Sequence, residues 1–306
     1  VTLPAVHLER VREYTGAEDV VAALLDRVCS TLRPGDKVLV KPNLVSARNA
    51  RLSCTHPAVV TGTCSYLRDH RVRVTVADSP AFGSAQGVAD AAGMTTPLAG
   101  LGLRVKTLDD PVPIRVGGTR AGISRAAMEA DLILNLPRLK AHSQMRVTAG
   151  VKNLFGCVCG LRKAVLHATH GDKGTRFEAL IVDVMRALPP QVTIVDAVTA
   201  MHGTGPIDGE EYQLGLLAAS GNTVAVDSTM YGILGLSSRD VPLWSECLRR
   251  GFRGADPEEI EYPMVQPGAV RVRDFLLPEI LTPQSFSPPR LVLSGMRRLW
   301  NRCVTR

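Results

Sequence analysis

The chain has 306 residues, enough for one large domain or two modest ones, and its apolar share is that of a globular protein with a mostly aliphatic core. A net charge of +7 suits an anionic substrate, a membrane surface or nucleic acid, and the dispersed basic residues and scarce aromatics argue against the last. Seven scattered cysteines without a CxxC pair exclude a secreted disulfide framework. No apolar run reaches the roughly 20 residues of a membrane helix, so no stable membrane insertion is expected. The first residues carry no signal-peptide pattern, and a reducing cytoplasm is the expected compartment.

Residues 17–32 carry apolar side chains at helical spacing, with Glu18 and Asp19 in the first turn, where the dipole favours acids. After a Pro34-Gly35-Asp36 turn, Lys37 to Val40 reads as a short buried strand closed by Lys41-Pro42-Asn43, which puts Lys41 and Asn43 at its carboxyl end. A polar loop follows, and Thr55 is expected to cap a helix starting near Pro57. Val72 to Ala77 is a β-branched strand ended by Asp78. Residues 81–98, rich in Gly and Ala, read as a loop and a helix, and match no nucleotide fingerprint. Residues 103–124 suggest a hairpin leading into helix 124–130.

The stretch 131–160 is the densest in chemistry. Asp131 to Leu136 reads as a buried parallel strand stopped by Pro137, with Asn135 near its end. Then come Arg138, Lys140, His142, Thr148, Lys152 and Asn153 among apolar neighbours. Thr148 and Lys152, four apart, would share a face if this part were helical. Cys157 and Cys159 form a CxC between glycines. One pair is too few for an iron–sulfur cluster, although a homodimer could supply four thiolates. Small buried residues in a tight turn is the plainer reading of that pair. His167 and His170, three apart beside Lys163, Asp172 and Lys173, are a weak metal signal.

Residues 177–188 form an amphipathic helix. Val192 to Val195 is a strand ended by Asp196, followed by a glycine-rich turn holding His202. Leu214 to Ala219 is another strand, and Thr223 to Val226 lead to Asp227 before a further helix. Helix 242–250 precedes a proline-rich tail, and 291–303 is a short amphipathic helix with Arg297, Arg298 and Arg302. Strands alternating with helices, with Asn43, Asp78, Asn135, Asp196 and Asp227 at or near strand ends, predict an α/β fold: an open, largely parallel sheet with flanking helices and a less regular C-terminal segment. The expected division is an α/β core, 1–240, and an extension packing on it, 241–306.

The residues at the strand ends suggest three roles. His142, with an unperturbed pKa of about 6.5, is the first choice for proton transfer, with Lys140 or Lys152 as base or electrostatic stabiliser if desolvated. Lys41, Asn43, Asn135, Thr148 and Asn153 would hold a small anionic substrate. Asp78, Asp196, Asp227 and His202 would hold a divalent metal, with helix capping and turn chemistry the competing reading for Asp196 and Asp227. The expected function is an enzyme acting on a small anionic substrate at the carboxyl ends of the strands, metal-dependent if those ligands converge, or alternatively a non-catalytic metal- or cofactor-binding accessory protein.

The pieces VLVKPN (38–43), THP (55–57), DSP (78–80), DLILNLPRLKAH (131–142), TAGVKNLFGC (148–157), IVDAVTAMHGTGP (194–206) and AVD (225–227) resemble the DUF362 domain family, some members of which are fused to ferredoxin-type iron–sulfur modules. The resemblance implies redox chemistry or electron delivery, hence an oxidoreductase-like enzyme, with iron as the favoured metal, an iron–sulfur cluster as the less favoured group and a ferredoxin-like partner. It carries over Lys41, Asn43, Asp78, Asn135, Lys140, His142, Lys152, Asn153, Asp196 and Asp227 as site positions. Three features depart from the pattern: the chain lacks a CxxCxxCxxxCP run, His202 stands where the family has an acid, and Cys159 stands where a proline is usual.

Overall fold

A computed structural model of the chain describes residues 2–116, 118–159, 166 and 175–282. Lys163, His167, His170, Asp172 and Lys173, and the arginine-bearing helix expected at 291–303, lie outside the described residues.

The chain opens with β1 (His7–Arg10) and α1 (Ala17–Val28), then β2 (Lys37–Pro42), α2 (Ala50–Ser53), α3 (Pro57–Asp69) and β3 (Arg73–Asp78). Next come α4 (Ala85–Ala91), α5 (Thr95–Gly100), β4 (Val105–Thr107), a hairpin of β5 (Pro111–Val116) and β6 (Thr119–Ser124), α6 (Arg125–Met128) and β7 (Leu132–Leu136). A second hairpin, β8 (Arg138–His142) with β9 (Arg146–Thr148), leads into α7 (Gly150–Leu154). The described chain continues with α8 (Arg176–Ala187), β10 (Gln191–His202), β11 (Glu210–Ser220), α9 (Thr223–Ile233) and α10 (Pro242–Arg249).

The main sheet has the order β1-β11-β10-β7-β2-β3-β4. The run from β10 to β4 is parallel, and β11 and β1 close one edge antiparallel. β8 lies alongside β10 beyond the end of β7, pairing Arg138 with Asp196 and Lys140 with Met201. Both faces of the parallel part are covered, so its strands read as near-continuous apolar runs. Alternation along β2 sends Val38 and Val40 into one core layer with α1, α3 and α4, and Leu39 into the other, with α7 and α8. α1 buries Ala17, Val21, Leu24 and Leu25, one helical stripe, against the first layer.

Four local expectations are corrected. His56, not Thr55, caps α3: its Nδ1 accepts the Ala58 N–H, and the Thr55 hydroxyl instead donates to the Leu136 carbonyl at 2.5 Å. Thr148 lies in a strand, paired with Lys140, so it shares no helix face with Lys152. β10 runs straight through Asp196, which is therefore mid-strand. Asp227 lies inside α9, not at a strand end. The β-branched run Thr223-Val224-Ala225-Val226 suggested a strand. Asn222 instead caps a helix, accepting the Ala225 N–H at 2.9 Å, and α9 is buried almost all round, so packing overrides local preference.

After α10 the described chain, residues 250–282, is irregular, with short 3₁₀ turns at Pro257–Glu259 and Pro267–Val270, yet α10 and this segment both contribute to the core. Trp244, Ile260, Val270 and Phe275 share one apolar cluster with Leu8, Val195 and Ala218. The Val6 N–H donates to Glu261 O at 2.9 Å, and Glu261 N–H to Pro4 O at 3.0 Å. Among the described residues no helix is long and apolar enough to cross a membrane.

A chain ended after Asp240 would expose that cluster. It is expected to lose its cooperative thermal transition and to bind a hydrophobic dye, as loosely packed states do. A sharp native melting transition in the shortened chain would show that 1–240 folds alone.

Candidate functional site

Lys41 and Asn135 are register partners at the ends of β2 and β7. Two residues before them, Leu39 and Ile133 face the α7 layer, so alternation turns Lys41 and Asn135 the same way. Lys41 has no exposed surface. Its Nζ donates to Asp78 Oδ1 at 2.6 Å, to Pro42 O at 3.2 Å and to Asn153 Oδ1 at 3.3 Å, which uses all three ammonium protons. Asp78, the last residue of β3, also accepts the Leu44 and Ser79 N–H groups, both at 2.8 Å. Asn153 donates to Asn135 Oδ1 at 2.8 Å, and Asn135 donates to Gly150 O and Thr193 Oγ1, both at 3.1 Å. The Thr193 hydroxyl meets that of Thr223 at 2.8 Å.

Two glycines permit this density. A Cβ at Gly156 would stand 2.5 Å from Lys41 Nζ and 2.8 Å from Asp78 Oδ1, and one at Gly150 would meet Thr223 Cγ2 at 2.7 Å. Gly150 begins α7, whose first N–H groups are taken by Asp227: Oδ1 accepts Gly150 N–H at 2.7 Å and Oδ2 accepts Val151 N–H at 2.9 Å. The Tyr231 hydroxyl adds a third bond at 3.2 Å. Burial pushes the Asp227 carboxyl up to about 7, against the pull of those donors.

Asp196 faces a different cluster. Arg138 Nη1 donates to its Oδ2 at 2.6 Å, the Tyr14 hydroxyl to its Oδ1 at 2.8 Å, and the His56 N–H to its Oδ2 at 2.8 Å. The Tyr14 ring stacks on His56 with centroids 3.4 Å apart. His202 ends β10 among Tyr212 and Phe275, and its Nδ1 accepts the Leu276 N–H at 3.3 Å. Thus Asp78 pairs with a lysine, Asp196 with an arginine, Asp227 caps a helix, and His202 docks the C-terminal segment. Among the described residues no group of three or more His, Cys, Asp or Glu is placed to hold a metal ion. The four expected metal ligands do not fit a shared metal, because each is committed to a separate partner. Cys157 and Cys159 are both buried, whereas a cluster shared across a dimer needs thiolates at the surface.

The three remaining candidates lie beside the Lys41 network. Lys140, in β8, is buried. Its Nζ donates to Asn43 Oδ1 and, at 2.7 Å, to Ser53 O, and it makes no ion pair among the described residues. Burial holds its pKa down to about 7, with the Arg138 and Lys41 cations adding to the effect and Cys54 and Asp78 opposing it. His142 Nδ1 accepts the N–H groups of Gln144 and Met145 at 3.1 and 3.3 Å, so its ring proton sits on Nε2. Burial, then Lys152 and Lys140, hold its pKa well below the usual imidazole range. The reason for choosing His142 as the titrating group therefore fails, and of these three candidates Lys140 is the one brought near neutrality, as the helix-capping Asp227 is from the other direction. Lys152 is half-buried, its Nζ 5.0 Å from the Phe155 ring centroid and 5.7 Å from that of Phe177. Asn43 lies directly beyond β2, and Thr148 is buried opposite Lys140.

Sequence reading missed Tyr14, Thr55, Thr193 and the structural weight of Arg138. The strand carrying Arg138, Lys140 and His142 did leave a signal: R-L-K-A-H alternates, with Leu139 packed in the core between the polar residues. Tyr14 reaches its partners from far along the chain and leaves none.

The parallel sheet, the buried lysine network at its carboxyl edge and the hairpin that continues it define an α/β protein with a polar site beside the strand ends. The chain belongs to the DUF362 family, a domain of unknown function, which it matches over residues 38–232. It is 36% identical over 283 residues to a thylakoid-associated protein of Synechocystis sp., covering 89% of this chain and 86% of that one. Among solved structures it is similar to the lactate racemase apoprotein of Thermoanaerobacterium thermosaccharolyticum (TM-score 0.43, 16% identity, 63% of this chain and 51% of that chain). A Thermotoga maritima protein gives a TM-score of 0.41 at 12% identity, over 70% and 57% of the two chains. The chain thus spans little more than half the length of these two structures.

Asp196→Ala would leave the Arg138 guanidinium buried without its carboxylate. A loss of about 3–5 kcal/mol in urea unfolding is expected, and a loss under about 1 kcal/mol would mean that the pair is replaceable by water. Lys140 tests the sign of a second effect. Its folded pKa is depressed from an ordinary 10.5 to about 7, so between those values the unfolded chain holds a proton that the fold has released. The cost of burying Lys140 is greatest at pH 7 and below and fades towards pH 10. Lys140→Met should therefore be more stable relative to the parent at pH 7 than at pH 10, and a pH-independent difference would contradict the shift.

Proposed function

We propose that this chain is an enzyme acting on a small anionic substrate by proton transfer, with Lys140 as the titrating group. The observation that carries the reading is Lys140 itself, a buried amine held among the described residues by the neutral oxygens of Asn43 and Ser53 and tuned to about 7. A base is most effective when its pKa lies near the working pH. In this reading Lys152 and Lys41 supply positive field for the substrate's charge, His142 donates from Nε2, and Asn43 and Asn153 orient. No step is routed through a metal, since the expected ligands are committed elsewhere. An oxidoreductase variant would need an electron-transfer partner outside the chain, for which a ferredoxin-like protein remains the proposal.

A second reading is an accessory protein at a membrane surface on the cytoplasmic side. It is favoured by the relative's thylakoid association and by how fully Asp78, Asp196 and Asp227 are satisfied within the fold. It predicts ligand binding without turnover.

Pyruvate, malonate and malate incubated with the protein in deuterated water, read by proton NMR, separate the two. The enzyme reading expects carbon-bound deuterium in at least one of them, rising with pH through about 7 and reduced 100-fold or more, roughly the value of one acid–base group, in Lys140→Met. Exchange that survives in folded Lys140→Met and His142→Ala proteins would remove these residues from the mechanism. Saturable binding without exchange would favour the accessory reading.

A further inference from the structure

Away from the lysine network, at the amino end of β10, lies a groove of 760 Å³. It is walled by the end of α8, the start of α9 and the turn after α10, and its volume is in the range of small-molecule sites. Its described lining contains three arginines, Arg186, Arg250 and Arg253, and no carboxylate, so its sign is positive. Arg250 is structural: its Nε and Nη1 are bound to Glu246 at 2.5 Å and Asp183 at 2.6 Å, behind the wall. Arg186 and Arg253 are exposed and make no ion pair among the described residues. The Arg186 guanidinium sits 5.9 Å from the Phe252 ring centroid, and Phe252, Pro189 and Pro190 supply apolar surface next to the charge. Arg253 lines the groove and is anchored by Nη2 to Thr2 O, one of its five donors.

We infer that this groove binds a phosphate-bearing molecule with a flat or apolar body, the phosphate between Arg186 and Arg253 and the body against Phe252 and the prolines. Guanidinium forks match phosphate oxygens in pairs, and an aromatic face with a guanidinium above it accepts a planar ring. A concave cationic groove with an apolar floor fits that two-part chemistry better than a bare inorganic anion, which would use the arginines alone. The site is separate from the one proposed for catalysis and does not depend on it.

The full chain is titrated by calorimetry with ADP and with inorganic pyrophosphate, and sedimented with phosphatidylglycerol vesicles. Arg186→Gln/Arg253→Gln is run alongside, its folding checked by thermal melting, as both side chains are exposed and the double variant should keep its fold. Binding of ADP that is tighter than that of pyrophosphate and falls at least about tenfold in the double variant is the expected result, since lost charge-assisted bonds cost that much or more. Vesicle binding without ADP binding, lost in the same variant, would keep the phosphate assignment and name a lipid headgroup as its source. No binding to any of the three probes, binding undiminished in the double variant, or ADP binding abolished by Lys140→Met while the arginine variant retains it, overturns the assignment.

Discussion

A lysine ammonium withdrawn completely from water at the end of a central strand is the constraint to which much of this molecule answers. Lys41 is tolerable only because Asp78, a strand away, supplies the opposite charge, while Pro42 O and Asn153 Oδ1 take the other protons. Asn153 can reach it only from α7, α7 can start where it does only because Asp227 answers its first N–H groups, and both approaches need a glycine where any side chain would collide. The network thereby joins four sheet strands, β2, β3, β7 and β10, to α7 and α9, and makes the carboxyl edge of the sheet a rigid polar floor.

The floor treats its cations in contrasting ways. Lys41 is neutralised by a carboxylate. Lys140, a short distance off, is offered only amide and carbonyl oxygen, and burial drives it towards its uncharged form. His142 is kept neutral by the same two factors, lost hydration and nearby positive charge. These two perturbed groups, buried in an electropositive region, are what the proposed reaction draws on.

The central strands were legible in the sequence because a strand buried on both faces has to be a short apolar run, and proline marks where it stops. That logic located Lys41, Asn43, Asp78 and Asn135 correctly at or beside strand ends. It failed at Asp196, where β10 continues past the carboxylate to form an extension with β8, and at Asp227, where a run of β-branched residues belongs to a buried helix. The β8–β9 hairpin was hidden by its turn: Arg146 takes a left-handed φ of 64° at a position with no glycine or asparagine to announce it. Which partner each acid would take was beyond local pattern altogether, since Tyr14 and Asp196 are 182 residues apart and Asp227 and Gly150 are 77 apart.

The bonds that lead from Lys41 through Asn153 to Asn135 have a polarity that cannot be reversed. An ammonium only donates, so Asn153 must present its oxygen to Lys41 and its amino group to Asn135. Asn135 must then present its amino group to Gly150 O and to Thr193 Oγ1. Each of the two amides thus has one permitted orientation, whereas the hydroxyl pair of Thr193 and Thr223 can run its bond either way. The buried charge therefore sets hydrogen orientation two side chains away from itself, erasing the flipped amides that a neutral network of the same residues would sample, and its reach stops at the first hydroxyl, which can accept from both sides.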